Sequence, residues 1–477
     1  MNKKDNKSTL TGLVLIGIIF VAYSIFFPYT PEETPNSGEK ETTEETTEET
    51  NNEDNIQEEN NIEETISATN TVTEKLDKQD EKTYTLENEK IKIVFTNKGG
   101  EIKSAIIKDF YTYDEYANNK NPDDRKDIEI FNNQDSRFAV LDYTDENIIS
   151  TNEYFSVQEK SDQSITFRKD YGDEVFIEYT YTLNEEDGNL VDFTINSKGL
   201  TNPELEWTIA APVTEKSKSN QEQYTGFYYQ EEHSKDVSWI FDNDEFEIND
   251  FETDLSWISF TQQFFSTIIE AKNNNFNSNT KLKSSKNEND EYVKTLSLKT
   301  DLKSGENKYT IYFGENDYKK LKGYNKGFEE IIPLGWGIFG WVNKIVVIPI
   351  FNFLKNSAGL TNFGLIILIL TLIIKIVLSP LTYKSYLSQA KMKVLKPEID
   401  KINEKYKAKD PMKAQKETMG LYRKAGVNPM GGCLPMLVQF PILIAMFRFF
   451  PASTELRQKS FLWADDLSAY DSIMSIP

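Results

Sequence analysis

Four apolar runs constrain this chain more than any other feature of its sequence. They lie at residues 10–27, 334–354, 360–381 and 433–450, and the sequence between them is polar and rich in charge. A stretch of about 18 or more apolar residues is long enough to cross a lipid bilayer. The net charge of -24 and the 27% of charged residues would suit a soluble protein, but the clustering of the apolar residues predicts a membrane protein.

The N-terminal run, residues 10–27, follows three lysines and lacks a small-residue cleavage site. We therefore expect residues 1–30 to form an uncleaved signal-anchor transmembrane helix whose lysines stay in the cytoplasm. Residues 31–82 are dominated by Glu and Thr and contain few apolar side chains. Because such a segment repels itself and can bury little apolar area, we predict an acidic disordered linker.

Residues 83–325 show the periodicity of β-structure. Stretches such as 175–183 and 309–313 alternate β-branched or aromatic residues with polar ones, and turn signals that contain glycine separate them. Many short strands without interleaved helical patterns predict a large antiparallel β-sandwich. We expect the polar residues 283–292 to form an exposed loop. His233, the single histidine, lies among charged and polar residues, so we expect it to be at the surface and not catalytic.

The second apolar run, residues 334–354, permits two interpretations. It is long enough to span a membrane, but its tryptophans, asparagines and lysines also suit a helix that lies flat at the membrane interface. If it spanned, the basic segment after the third run would be exported, against the preference of Lys and Arg for the cytoplasm. We therefore expect residues 331–357 to form an interfacial amphipathic helix on the outer face and residues 360–381 to form transmembrane helix 2.

Residues 383–427 contain 12 Lys or Arg and 5 Asp or Glu. Their helical spacing, with a second helix start at Asp410 and Pro411, predicts a cytoplasmic helical hairpin joined by loops at both ends. This hairpin has two interpretations. It is either a cytoplasmic loop whose basic residues follow the preference of Lys and Arg for that side of the membrane, or a docking arm for lipid headgroups and for segments of client proteins. The lysines of such an arm are Lys391, Lys393, Lys396, Lys401 and Lys405. Residues 430–450 are the predicted transmembrane helix 3, and residues 451–477 are a predicted periplasmic segment.

Among the polar side chains inside the predicted membrane helices, Thr371, Lys375 and Gln439 are the candidate site residues. A charge in the hydrocarbon core costs about 2.5 to 3.5 kcal/mol or more, so Lys375 is expected to face a water-filled cavity or a partner. The alternative is that its long stem reaches the headgroups, because the residue lies close to the cytoplasmic end of the run. Thr371 lies one turn earlier on the same helix face.

Two glycines and two prolines mark the start of the last apolar run. Gly431 and Gly432 either allow close approach of another helix or form the turn that leads into this helix. Pro435 and Pro441 flank Gln439, and we expect Pro441 to kink the helix.

Several enzyme classes lack their residues in this sequence. It contains no phosphate-binding loop ending in Gly-Lys-Ser/Thr, no His-Glu-x-x-His and no Gly-x-Ser-x-Gly. One cysteine and one histidine exclude a multi-cysteine zinc site and leave almost no material for histidine-based metal binding. We therefore expect no bond-making chemistry, no metal and no cofactor.

Several motifs carry a family resemblance, and they occur in family order. They are Asn97-Lys-Gly-Gly-Glu, Trp257-Ile-Ser-Phe-Thr-Gln-Gln-Phe-Phe, Ser379-Pro-Leu-Thr-Tyr, Val427-Asn-Pro-Met-Gly-Gly-Cys-Leu-Pro, Glu455-Leu-Arg-Gln and Phe461-Leu-Trp-Ala-Asp-Asp-Leu-Ser. The chain resembles the YidC membrane insertases, in the form found in bacteria with two membranes. The resemblance implies an α-helical transmembrane core and a periplasmic β-supersandwich at residues 83–325.

The resemblance also implies a function and a site. Family members insert and fold integral membrane proteins in the bacterial inner membrane, alone or with the Sec translocon, through a hydrophilic intramembrane groove. Lys375 matches the basic groove residue, where many relatives have arginine, and Thr371 and Gln439 fall where polar groove residues are expected. Lysine keeps the charge but loses the fork of donors that arginine offers to a carboxylate.

The partners that the resemblance implies are newly made membrane proteins, such as ATP synthase subunits, the Sec translocon and membrane lipids, and no nucleic acid. Relatives continue with two more transmembrane helices and a basic tail after the segment that matches 461–477. We therefore expect the printed sequence to be a fragment or a premature end, without the tail that would contact the ribosome.

Two rival functions remain at this point. The first is a membrane-anchored periplasmic assembly or ligand-binding β-sandwich module without insertase activity. The second is a carbohydrate-active sandwich enzyme. The basic hairpin and the intramembrane polar residues speak against the first, and the missing acid/base residues speak against the second.

Overall fold

The computed structural model describes residues 80–142, 148–172, 174–234, 236–241, 245–287, 289–406, 410–427 and 434–470. The predicted signal anchor and all but the last residues of the predicted linker lie outside the described residues. Gly431 and Gly432 lie outside them as well.

Strands dominate the part of the chain between residues 83 and 315. They are β1 (Thr83–Glu87), β2 (Ile91–Thr96), β3 (Ile102–Tyr111), β4 (Asp127–Asn132), β5 (Arg137–Asp142), β6 (Ile148–Ile149), β7 (Ser156–Lys160), β8 (Ser164–Gly172), β9 (Val175–Leu183), β10 (Leu190–Lys198), β11 (Glu204–Pro212), β12 (Gly226–Glu231), β13 (Ser238–Ile240), β14 (Phe246–Ile248), β15 (Leu255–Thr261), β16 (Phe265–Ala271), β17 (Lys281–Lys286), β18 (Tyr292–Asp301) and β19 (Gly305–Glu315).

These strands form three antiparallel sheets. The largest has the order β13-β12-β15-β16-β19-β10-β9-β8-β7, the second β14-β17-β18-β11-β5-β6, and the smallest β1-β2-β3-β4. Alternate side chains of β9 and β10 are buried, as expected for strands with one face on a core. In that core Phe138 of the second sheet makes edge-on ring contacts with Tyr179 and Phe193 of the largest. The predicted antiparallel β-sandwich is confirmed.

The predicted exposed loop at residues 283–292 is wrong at both of its ends, which account for half of its length. Residues up to Lys286 belong to β17, and β18 begins at Tyr292. Leu282 and Ser284 are buried while Lys281 and Lys283 are exposed. The alternation that predicts a strand is present, but a serine in place of an apolar residue conceals it.

His233 lies at the surface, as the sequence predicts. Its side chain is exposed, and its backbone adopts a positive φ of 67° in the turn after β12.

Glu101 is a buried carboxyl at the start of β3. It follows Gly99 and Gly100, which both have positive φ and so form a turn that other residues rarely adopt. The residue is 7% exposed, and its Oε1 accepts a hydrogen bond from Asn133 at 3.3 Å. Burial raises the pKa of Glu101 to about 7, against the opposing effects of the Asn133 amide and the Phe138 backbone.

Seven helices belong to the described residues. They are α1 (Tyr113–Asn118), α2 (Lys218–Gln223), α3 (Tyr318–Gly323), α4 (Ile338–Ser357), α5 (Phe363–Tyr406), α6 (Pro411–Lys424) and α7 (Leu434–Ala452). Helix α4 contains two π-helical turns, Asn343–Val347 and Phe353–Ser357. Helices α4, α5 and α7 are long and apolar enough to cross a membrane. Length therefore does not decide whether α4 spans or lies flat, and its interfacial position stays a prediction.

The loop predicted between the second transmembrane helix and the hairpin is wrong, because α5 runs through both as one helix of 44 residues. Pro380 lies inside it and cannot donate a backbone hydrogen bond to the carbonyl of Ile376. The hydroxyl of Ser379 donates to that carbonyl instead, at 2.8 Å. Local replacement of the lost bond allows the helix to continue through a proline.

The sandwich and the apolar helices share a second core. Trp257, Ile268 and Tyr312 of the sandwich belong to the same buried cluster as residues of α4, α5 and α7. The sandwich is therefore packed on the helical part of the chain, and β19 leads into it through α3.

Candidate functional groove

A groove of about 380 Å³ separates α5 from α7. Its lining is contributed by both helices in nearly equal shares. The lining residues are Thr382, Ser385, Tyr386 and Gln389 of α5 and Pro435, Met436, Gln439, Phe440 and Leu443 of α7. Amide and hydroxyl groups therefore lie beside apolar side chains in one open cleft.

The two helices pack together at one end of their shared length, and the groove lies beyond this contact. Ile366, Leu370 and Ile374 of α5 are buried in one cluster with Ala445 and Phe449 of α7. Beyond Ile374 the side of α5 that faces α7 changes from branched apolar residues to serine, threonine and glutamine. A polar side chain in lipid needs a partner or water, so these residues do not close the helices into a dry contact.

Gln439 is the predicted site residue that lies in the groove itself. Its side chain is exposed, and its amide offers both donors and an acceptor. Gln389 faces it from α5 and donates to the hydroxyl of Ser385 at 3.5 Å. Both walls of the groove therefore carry a polar amide, Gln389 on α5 and Gln439 on α7.

Lys375 and Thr371 are not among the groove-lining residues, but they share the face of α5 that lines it. Lys375 precedes Thr382 by seven residues, which is about two turns and 10 Å along the helix. Lys375 is exposed and has no ion-pair partner in the described ranges. Thr371 donates its hydroxyl to the carbonyl of Ile367 at 2.9 Å, so its donor is used within the helix.

The sequence reasoning missed the α5 wall of the groove. Thr382, Ser385, Tyr386 and Gln389 fell in the predicted hairpin or at its entrance, and no local feature marks them as part of a site. The available signal is the spacing of residues 375, 382 and 389, which repeat every seven positions and therefore share one face of a continuous helix.

The remaining predicted residues divide into three groups. Pro435 lines the groove, and Pro441 lies within α7, which continues through it as a helix. The hairpin lysines Lys391, Lys393, Lys396, Lys401 and Lys405 are all exposed. The described residues contain no group of three or more His, Cys, Asp or Glu side chains that could hold a metal ion.

Comparison with known proteins places this chain in a family. The family model for the YidC periplasmic domain matches residues 83–348, and the model for the 60Kd inner membrane protein matches residues 353–477. Membrane protein insertase YidC of Bacteroides fragilis is 35% identical over 500 aligned positions, which cover 99% of this chain and 78% of that protein. The protein of the same name from Parabacteroides distasonis is 34% identical, with coverages of 98% and 78%.

A solved structure resembles part of the chain weakly. It is a galactose mutarotase-like protein from Lactobacillus casei, 14% identical, which covers 49% of this chain and 100% of its own length with a TM-score of 0.33. A score this low supports no conclusion about activity.

The two family models together match most of the chain, and the relatives are named insertases rather than enzymes. The matching family and the three long apolar helices indicate an inner-membrane protein. With a β-sandwich, a bundle of apolar helices and a polar groove between two of them, this chain belongs to the YidC family of membrane protein insertases.

Proposed function

We propose that this chain inserts client proteins through the groove between α5 and α7. The polar lining of a cleft between two apolar helices is the observation that supports this proposal. A short polar segment of a client can enter the cleft without meeting hydrocarbon, while its apolar helix moves sideways into lipid. Burial of the client's apolar surface drives this step, and no covalent bond is made or broken.

In this proposal Lys375 and Thr371 extend the polar face outward from the groove. The unpaired charge of Lys375 attracts acidic client segments, and the exposed hairpin lysines contact headgroups or clients at the cytoplasmic surface. Small inner-membrane proteins and the Sec translocon are the proposed partners. Residues 1–30 are proposed to anchor the chain, and α4 to lie flat at the outer interface.

Client contact in the groove is testable by photo-crosslinking. A photoreactive residue at Gln439, in the protein as its host makes it, is expected to crosslink to a small membrane protein stalled during insertion. The same residue at Leu437 is the matched control, because Leu437 lies on the same helix but outside the groove lining. Crosslinks of equal yield at the two positions, or none at Gln439, would contradict the groove. Depletion of the protein should in addition leave such clients uninserted.

The proposed topology places the N-terminus inside, residues 31–360 outside, 382–428 inside and 452–477 outside, because this arrangement keeps both basic clusters in the cytoplasm. Cysteines at Ser219 and Lys416, both exposed positions, can be introduced singly after Cys433→Ser. An impermeant thiol reagent applied to spheroplasts is expected to label position 219, and to label position 416 only after lysis. Labelling of 416 in intact spheroplasts without labelling of 219 would invert the topology.

A further inference from the structure

Residues 451–458, the last two residues of α7 and the six that follow it, are bound to the sandwich by buried polar contacts. Arg457 is the centre of this segment, and its side chain is 2% exposed. Its Nε donates to Glu215 Oε1 at 2.8 Å, and Glu215 is itself 9% exposed. Its Nη2 donates to the carbonyl of Tyr111 and, at 3.3 Å, to that of Thr214. One guanidinium therefore joins two separate segments of the sandwich to the chain that leaves α7.

A second set of contacts holds the end of α7 itself. Gln263, in the turn between β15 and β16, donates to the carbonyl of Pro451 at 3.0 Å. The last carbonyls of a helix have no partner within it, so this amide supplies one from the sandwich. Thr454 donates to the carbonyl of Asn316 at 3.1 Å, and Asn316 donates to the carbonyl of Gln262 at 3.0 Å. We call residues 451–458 with these sandwich partners the outer latch.

The outer latch also reaches α4. Lys355 and Glu455 form an ion pair of 2.8 Å. Two turns before the end of α7, the carbonyl of Ala445 accepts a hydrogen bond of 2.7 Å from the buried Asn343 of α4. The outer half of α7 is therefore held from two directions, whereas its inner half borders the groove.

Removal of either partner of a buried ion pair leaves an uncompensated charge in a medium that solvates it poorly. The Arg457–Glu215 pair is of this kind, and the carbonyls of Tyr111 and Thr214 satisfy further donors of the guanidinium. These hydrogen bonds fix the orientation of residue 457 relative to the sandwich, because the donors of a guanidinium lie in one plane and point in set directions.

We propose that Arg457 is a positioning residue for insertion. Through the outer latch the sandwich holds the outer half of α7 stationary, so that the groove wall carrying Gln439 is kept in place from the opposite end of the same helix. Gln439 precedes Pro451 by twelve residues, or about 18 Å of helix. The helix is continuous through Pro441, so Gln439 and Pro451 belong to one helical segment. This inference rests on the proposed function and deepens it.

Two nitroxide labels test whether the outer latch fixes α7. They are placed at Ser219 on the sandwich and at Phe447 on α7, both exposed, in the full chain with Cys433→Ser. Pulsed electron resonance is expected to give a narrow distance distribution. Arg457→Gln should broaden it roughly twofold, because the charge of Glu215 loses its partner. The distribution of Arg457→Lys should have an intermediate width, since lysine keeps the charge but loses the forked donors of the guanidinium. Lys459→Gln, an exposed change two residues away, should have no effect.

The functional arm uses the crosslinker at Gln439. Arg457→Gln is expected to reduce the yield of client crosslinks several-fold in protein whose sandwich unfolds at the wild-type temperature, and Arg457→Lys to restore part of it. An unchanged distance distribution in folded Arg457→Gln protein overturns the latch. A broader distance distribution without any fall in the yield of client crosslinks overturns the positioning role of Arg457. Absence of crosslinks in the wild-type protein would instead contradict the proposed function, whatever the labels report.

Discussion

Lys375→Glu is expected to abolish insertion of client proteins, and Lys375→Arg to retain it. The structure leaves Lys375 exposed on the face of α5 that continues into the groove, so its charge is available to a client. The membrane cost of one charged side chain is similar for glutamate and lysine. The expected effect therefore comes from repulsion of acidic client segments, and we expect roughly a hundredfold loss of their insertion. The measurement is the fraction of a pulse-labelled client that becomes protease-protected in cells that carry each variant as their sole copy.

Lys375→Ala separates the two interpretations of this lysine. If its charge serves clients, alanine should impair those with acidic exported segments and spare apolar ones. If the side chain only reaches headgroups, alanine should be harmless for every client, because removal of an intramembrane charge favours the helix in lipid. Lys384→Ala is the matched control, since residue 384 is nine positions later and projects from the opposite side of α5. Full activity of Lys375→Ala with an acidic client would refute the groove role of Lys375.

Glu101→Gln is expected to stabilise the sandwich at pH 8 and to have little effect near pH 4.5. Glu101 has a pKa of about 7 in the folded chain against 4.5 as its ordinary value. Between these values the folded state holds a proton that the unfolded state has released, so the free energy of unfolding falls as the pH rises through this window. The loss is on the order of 3 kcal/mol, and a glutamine, which has no charge to bury, avoids it.

Thermal unfolding of the purified protein in detergent, at pH 5 and pH 8, measures this effect. The variant should unfold roughly 5 to 10 °C above the wild type at pH 8. Glu159→Gln, the same change at an exposed position of β7, should leave the unfolding temperature unchanged. An equal fall in stability between pH 5 and pH 8 for wild type and Glu101→Gln would show that this carboxyl does not titrate in the window.

Local signals in the sequence predict those elements whose pattern is complete within the element. Strand β9 occupies the predicted residues 175–183, because its alternation of buried and half-buried side chains is written in β-branched and aromatic residues. Helix α6 begins at Pro411, with Asp410 accepting a hydrogen bond from the backbone of Lys413 at 3.0 Å. Proline at the first position and aspartate before it are the ordinary start of a helix.

The rest depends on contacts between distant segments. The groove requires α5 to lie beside α7, and nothing near Gln389 indicates that Gln439 is opposite. The outer latch joins residues more than two hundred positions apart, such as Glu215 and Arg457. Both residues are charged, and taken alone each would be assigned to the surface, since such side chains are rarely buried unless they are paired.

The length of α5 places two distant surfaces of the chain on one helix. Its 44 residues extend about 66 Å, roughly twice the 30 Å thickness of a hydrocarbon core. One continuous helix therefore forms the groove wall at Thr382 and carries Lys405 about 35 Å further along its axis, with Pro397 between them. A partner that binds the exposed lysines at the far end therefore contacts the same helix that forms the groove wall.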